Sequence, residues 1–242
     1  MNGLCLFSID RKAFQIAVAL AVLFVFLVGG ANALAQPTVR CVPKTTLNAS
    51  CTAGTTYATI SLAVGAAAAG DIIVVGPGKY NESVNITIPL SLFGAQAGVD
   101  ARVGRTYQHL ESVVDATGKS GPAFLVNLSE TYKYSPVVID GFTIQGGTAG
   151  SYVAGIYVTY YYSAPVQILD NIIRNNAVGA YLHGAYGTVV KHNLIQSNNS
   201  GTADSEDIEV AGTAGYGIVL YYPYQLTITG GGGTCTLGTV CN

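Results

Sequence analysis

Read as hydrophobic and polar positions, the chain beyond residue 54 changes period once. Ile60, Val64 and Ala67 recur at helical spacing behind Thr55 and Thr56, and Gly70 offers a stop. This predicts a short helix over 55–69 whose small, Ala-rich face suits it to close the open end of a stack of strands. From residue 71 to 230 the pattern becomes short β-branched runs between Gly, Asn and Asp turns. Asp71-Ile72-Ile73-Val74-Val75 reads as a buried strand ended by Gly76-Pro77-Gly78. Val84-Asn85-Ile86-Thr87-Ile88 and Leu90-Ser91-Leu92-Phe93 alternate. Val113-Val114-Asp115, Phe124-Leu125-Val126, Val137-Val138-Ile139-Asp140 and Phe142-Thr143-Ile144 follow.

The runs repeat. VQILDNIIRNN at 166–176 matches TVVKHNLIQSN at 188–198, an offset of 22 residues that sets Ile168 on Val190, Asn171 on Asn193 and Ile173 on Ile195. Gly155-Ile156-Tyr157-Val158 likewise matches Gly179-Ala180-Tyr181-Leu182, and Gly217-Ile218-Val219-Leu220 begins a third copy. Leu92, Val114 and Ile139 read as one position on successive turns of 22 and 25 residues. Short strands with such a period predict an all-β, right-handed parallel β-helix solenoid with a short N-terminal capping helix. Asn171 and Asn193 are then expected to stack in a structural turn ladder.

Residues 55–98, TTYATISLAVGAAAAGDIIVVGPGKYNESVNITIPLSLFGAQAG, resemble the opening of secreted β-helix proteins of the pectin-lyase-like superfamily. That opening is an F/Y-x-T-I helix, then GDxIxVxPGxYxE, then a strand ending in LxLxGA. With the repeats, the resemblance covers roughly residues 55–230. It implies the fold but no activity, because esterases, lyases and proteins of unknown role share it. The DFIFG of pectin methylesterases, the NTD, DD, GHG and RIK of polygalacturonases and the DPHD of mannuronan epimerases are missing, so no catalytic residue is carried over.

Arg11 and Lys12 precede an apolar run over 13–28, broken only by Gln15, and Ala33-Leu34-Ala35 is a small-x-small cleavage site. Residues 1–35 therefore read as a secretory signal peptide. The alternative, a membrane anchor, needs about 20 apolar residues. A secreted, periplasmic or cell-surface protein follows, with no membrane attachment after cleavage. Cys41, Cys51, Cys235 and Cys241 remain, and an even number in an oxidising compartment implies disulfides. Three connectivities are open. Pairing neighbours would clip a lead-in over 36–54 and a Gly/Cys-rich end over 231–242. Where the repeat predicts Asn and two apolar residues, 231–233 are all Gly. The ladder is expected to stop there, as a cap or as the end of a truncated solenoid, with end-to-end self-association open to it. The 10% of charged residues, the net charge of −2 and the lack of a Lys/Arg cluster exclude nucleic acid as a partner.

Candidate chemistry is sparse. If Ile156 and Val158 point inward, alternation turns Tyr157 and Thr159 outward, with Tyr181, His183, Val219 and Tyr221 on the next turns. Columns of Tyr rings on a flat sheet would stack sugar rings. The loop over 95–112 holds Asp100, Arg102, Arg105, His109 and Glu111. Arg102 and Arg105 would grip an anionic sugar there, or the loop would be salt-bridged within itself. Lys191-His192 reads as a surface pair. No metal site is expected, since no CxxC or adjacent His accompanies the cysteines. No cofactor is called for; calcium would need clustered carboxylates, and Asp204, Glu206 and Asp207 read as a loop. The chain is thus expected to bind or scaffold a polysaccharide or cell-surface glycan without turning it over. A lyase, hydrolase or esterase whose site is unreadable, and a structural or adhesive solenoid, are the alternatives.

Overall fold

The computed structural model describes residues 36–42, 55–103, 105, 107–132, 135–159, 165–184, 187–200, 216–221 and 227–229. The signal segment, Cys51, Cys235, Cys241, the acidic group at 204–207 and the 231–233 glycines lie outside the described residues.

The elements in chain order are β1 (Val39–Val42), β2 (Thr55–Thr56), α1 (Ile60–Gly65), β3 (Ile72–Val75), β4 (Gly78–Tyr80), β5 (Val84–Ile86), β6 (Ser91–Phe93), β7 (Ser112–Asp115), β8 (Phe124–Val126) and β9 (Val137–Asp140). There follow β10 (Phe142–Gln145), β11 (Ala154–Val158), β12 (Val166–Leu169), β13 (Ile172–Arg174), β14 (Val178–His183), β15 (Val189–Lys191), β16 (Leu194–Gln196), β17 (Tyr216–Tyr221) and β18 (Thr227–Thr229).

From β3 onward the chain visits three sheets in strict rotation, so each strand pairs in parallel with the third strand after it. Sheet A has the order β18-β15-β12-β9-β6-β3-β1-β2, sheet B β16-β13-β10-β7-β4, and sheet C β17-β14-β11-β8-β5. This is an all-β parallel β-helix with a short helix at its N-terminal end. Pairing between coils satisfies the backbone, and alternation sends every second side chain inward. Inside, Ile73, Leu92, Ile139, Ile168 and Val190 line sheet A. Val114, Ile144 and Ile173 line sheet B, and Val84, Phe124, Ile156, Ala180 and Ile218 line sheet C.

The 22-residue offset is the true register: Ile168 pairs with Val190, Ile172 with Leu194 and Tyr157 with Tyr181. The earlier register is different. Leu92 pairs with Ile139, 47 residues on, and Val114 belongs to sheet B beside Tyr80 and Ile144. Excursions over 94–111 and 127–136 lengthen that coil, and the spacing between different sheets imitates one turn. The lead-in also contributes a strand: β1 inserts between β2 and β3, with Cys41 fully buried.

The cap helix is shorter than 55–69. Thr55 and Thr56 form edge strand β2, and Thr59 caps α1, its side chain accepting from Leu62 N–H at 3.1 Å. Glu82 accepts from the N–H groups of Ile60 and Ser61 at 3.0 and 2.8 Å. Ile60, Ala63 and Val64 are buried against the first coil.

Two sharp corners repeat. At the A-to-B corner Gly141, Asp170 and His192 hold left-handed backbone in successive coils, with φ of 78°, 51° and 58°. Gly is required at the first, because a Cβ there would sit 2.0 Å from Ala97 N. At the B-side exit the same role falls to Gly146, Asn175 and Ser197.

Candidate functional site

Each corner is stabilised by an asparagine ladder. Asn171 Oδ1 accepts from Phe142 N–H at 2.9 Å, and its Nδ2 donates to Ile139 O at 2.9 Å. Asn193 Oδ1 accepts from Asn171 N–H at 2.8 Å, and its Nδ2 donates to Ile168 O at 2.7 Å. A second ladder, missed by the sequence reading, pairs Asn176 with Asn198 in the same way. Asn198 stands in an N-x-S/T sequon, yet here its amide is buried and committed to Ile173 O at 3.0 Å. These asparagines tie one coil to the next.

The expected tyrosine columns do point away from the central core. They do not reach solvent: Tyr157 and Tyr181 are 2% and 1% exposed and belong to a second cluster with Val153, Ala154, Ala177, Val178 and Val219. Their rings stack on each other, centroids 4.6 Å apart and 8° from parallel, and Tyr152 packs on Tyr157 at 4.6 Å. The ring faces meant for sugar are thus spent within the protein, because apolar aromatic surface gains more from mutual burial than from water. Thr159 donates its hydroxyl to Asn127 Oδ1 at 3.0 Å. His183 meets the edge of Tyr181 at 6.2 Å. Tyr221 pairs with His183 through the backbone, and its side chain lies outside the described residues.

The charged loop lies elsewhere, at the A-to-B corner, so the structure does not unite the predicted ligand residues. The described residues within 94–111 form a strap running over successive coils. Gln96 N–H donates to Gly141 O at 3.3 Å, Gly98 N–H to Asp140 Oδ1 at 3.1 Å and Ala101 N–H to His192 O at 3.0 Å. Arg105 is the inner bolt. Its guanidinium forms a two-point ion pair with Glu111 and donates to the carbonyls of Asp170 and Phe142. Its side chain is 1% exposed. Thr143 Oγ1 donates to Glu111 Oε2 at 2.9 Å. Arg102 is held by Asp100, Nε to Oδ1 at 2.9 Å and Nη2 to Oδ2 at 2.6 Å. That contact holds the Asp100 carboxyl well below the usual carboxylate range. The arginines therefore do not form an open anion grip; each already has a carboxylate.

Beneath the strap, Asp140 and Asp170 occupy consecutive coils and are 7% and 8% exposed. Burial pushes the Asp140 carboxyl up, and the neighbouring Asp170 charge adds to this. His192, read as half of a surface pair, has its Nδ1 3.3 Å from Asp170 Oδ1. That oxygen is buried and accepts no hydrogen bond, so the close approach is not an aligned donor–acceptor contact. The 22-residue offset already set Asp170 over His192 and could have revealed the pair.

The strap's outer side is its open face. Val99, Val103, Tyr107 and Leu110 are exposed, Tyr107 by 63%. Tyr107 and His109 set their rings 5.7 Å apart at 57°. Arg105 and Glu111, which bracket them in sequence, bond to Phe142 and Thr143 of β10, and Thr143 belongs to the outer face of sheet B. That face has two columns: Val113, Thr143, Ile172 and Leu194, and beside it Asp115, Gln145, Arg174 and Gln196. Asp115 is buried, yet Lys79, Thr117 and Gln145 hold its carboxyl well below the usual range against that burial. Among the described residues no group of His, Cys, Asp and Glu is arranged to hold a metal ion.

Comparison of the chain with known protein families, characterised proteins and solved structures finds no match.

Proposed function

We propose that this protein is an extracellular β-helix of the pectin-lyase-like kind that binds a glycan on the outer face of sheet B and its strap, without turning it over. The observation that carries the reading is Tyr107. It is a largely exposed aromatic ring, paired with His109, on a loop immobilised by the buried Arg105–Glu111 pair. An exposed ring on a rigid support offers an apolar face and a hydroxyl at little ordering cost. The signal-like N-terminus and the cysteine count support secretion. The tyrosine column on sheet C supplies no such surface, so the binding face moves from sheet C to the strap.

Catalysis would need carboxylates on adjacent coils open to a substrate. Asp140 and Asp170 meet the first condition, but the strap covers them. That favours binding over turnover. Affinity electrophoresis through gels containing plant and bacterial polysaccharides tests the reading. The protein should be retarded by at least one polymer, and Tyr107→Ala should weaken that binding roughly tenfold with an unchanged melting curve. Retardation by none, or equal retardation of Tyr107→Ala, would sink it. Release of reducing sugar or unsaturated product from any of these polymers would overturn its non-catalytic half.

A further inference from the structure

Five carboxylates are buried among the described residues, and three of them have a Lys or Arg against them. Asp71 has Arg40 at 2.8 Å, Asp115 has Lys79 at 2.6 Å, and Glu111 has Arg105. Asp140 and Asp170, on consecutive coils under the strap, have neither. Asp140 makes no ion pair among the described residues, and its carboxyl accepts one hydrogen bond, from the strap's Gly98 N–H. Asp170 has His192 beside it, and its Oδ1 accepts nothing.

The surroundings of Asp140 offer little to hold a charge. Its ladder neighbours, Phe93 and Leu169, are uncharged, and Lys191, two coils along the same column, is exposed. Asp170 repels it; Arg105 attracts it but is committed to Glu111. Asp100 and Arg102 pair with each other, and their charges act on His192 and Asp170. A buried carboxyl so placed favours its neutral form. Neutral, it still accepts from Gly98. Ionised, it sets a second negative charge beside Asp170, and both can reach water only if the strap lifts. The strap rests on these same coils: Gly98 on Asp140, Arg105 on the Asp170 carbonyl and Ala101 on the His192 carbonyl.

We propose that Asp140 and Asp170 make the strap a proton-held latch, seated while Asp140 carries a proton and loosened when that proton leaves. The stabilisation is full below the ordinary carboxyl value, near 3.9, and is lost as pH rises through the raised value in the closed state. Acid therefore seats the strap, and a rise in pH frees the segment that carries Tyr107. The latch belongs to the free protein and needs no ligand.

Amide exchange of strap peptides across a pH series, corrected for the intrinsic exchange rate, tests it. Wild-type protection should fall by up to about tenfold per pH unit within that window and then level off. Asp140→Asn, which keeps an oxygen for Gly98, should hold the acid-form protection throughout. His192→Gln should keep the wild-type slope, which separates the acid pair from the imidazole. Infrared spectra give a second readout. A protonated-carboxyl band should persist in the wild type at about pH 5–6, where exposed carboxyls are ionised, and be missing from Asp140→Asn. Thermal melts check that both variants fold. A flat wild-type profile, a slope that survives in Asp140→Asn, a slope lost in His192→Gln, or no such band in the wild type overturns the proposal.

Discussion

Asn171 shows what one side chain does at a corner. Its amide answers a donor in the coil before and an acceptor at the end of the preceding sheet A strand, both fully buried. Asn171→Ala leaves both unsatisfied and should cost about 2–4 kcal/mol, read as a lower urea midpoint with an unchanged slope. Asn193→Ala should cost less, because that residue is half-buried and water can replace its bonds. Asp140 works the other way. A carboxyl raised in the folded state contributes stability below its unfolded pKa, near 3.9, and loses it as pH rises through the folded value. Asp140→Asn keeps an oxygen for Gly98 N–H and removes the buried charge. It should raise Tm at pH 7 by about 2–4 °C per kcal/mol gained, a gain that disappears on acidification as wild-type Asp140 takes up its proton. The Asn171 ladder was legible because its members recur at a fixed offset. The Asn176 ladder has the same offset, but Asn198 also fits a sequon, which gave its amide a competing surface reading.

At the scale of the element, the strap is held by a pair whose partners are far away in sequence. Arg105 reaches a carbonyl 65 residues on, and Glu111 a hydroxyl 32 residues on. The sequence showed a cluster of charges; nothing local in it says that Arg105 turns inward. Arg105→Ala strands Glu111 in a buried site and should destabilise the protein by about 3–5 kcal/mol. Limited proteolysis should then cut within 99–110, where the wild-type chain resists. A double Arg105→Met, Glu111→Met variant should recover most of that loss, since burying a pair returns little more than burying apolar groups of similar size. Strand β1 escaped notice for a related reason: Val39-Arg40-Cys41-Val42 becomes a strand by inserting between β2 and β3, which no local period records. Its Arg40 pairs with Asp71 at 2.8 Å, and burial of that carboxylate is outweighed by bonds from Ala68, Thr38 and Arg40.

For the whole molecule, the rotation through three sheets was readable because inward β-branched residues recur wherever coils are short. It became unreadable between Leu92 and Ile139, where excursions stretch one coil to 47 residues. The candidate site sits on that stretch. Regular coils advertise themselves by repetition, whereas a binding loop is by nature the part that does not repeat. The strap has a further effect on how the molecule comes apart. In a solenoid each coil touches only its neighbours, so coils can open one at a time from an end. The strap's anchors at Gly141, Asp170 and His192 join three coils by a single thread. Amide exchange should therefore report these coils opening together, as one cooperative block. In Arg105→Ala the block should divide, with the His192 coil exchanging first. A loop that presents a ligand face outward would at the same time set the size of the unfolding unit beneath it.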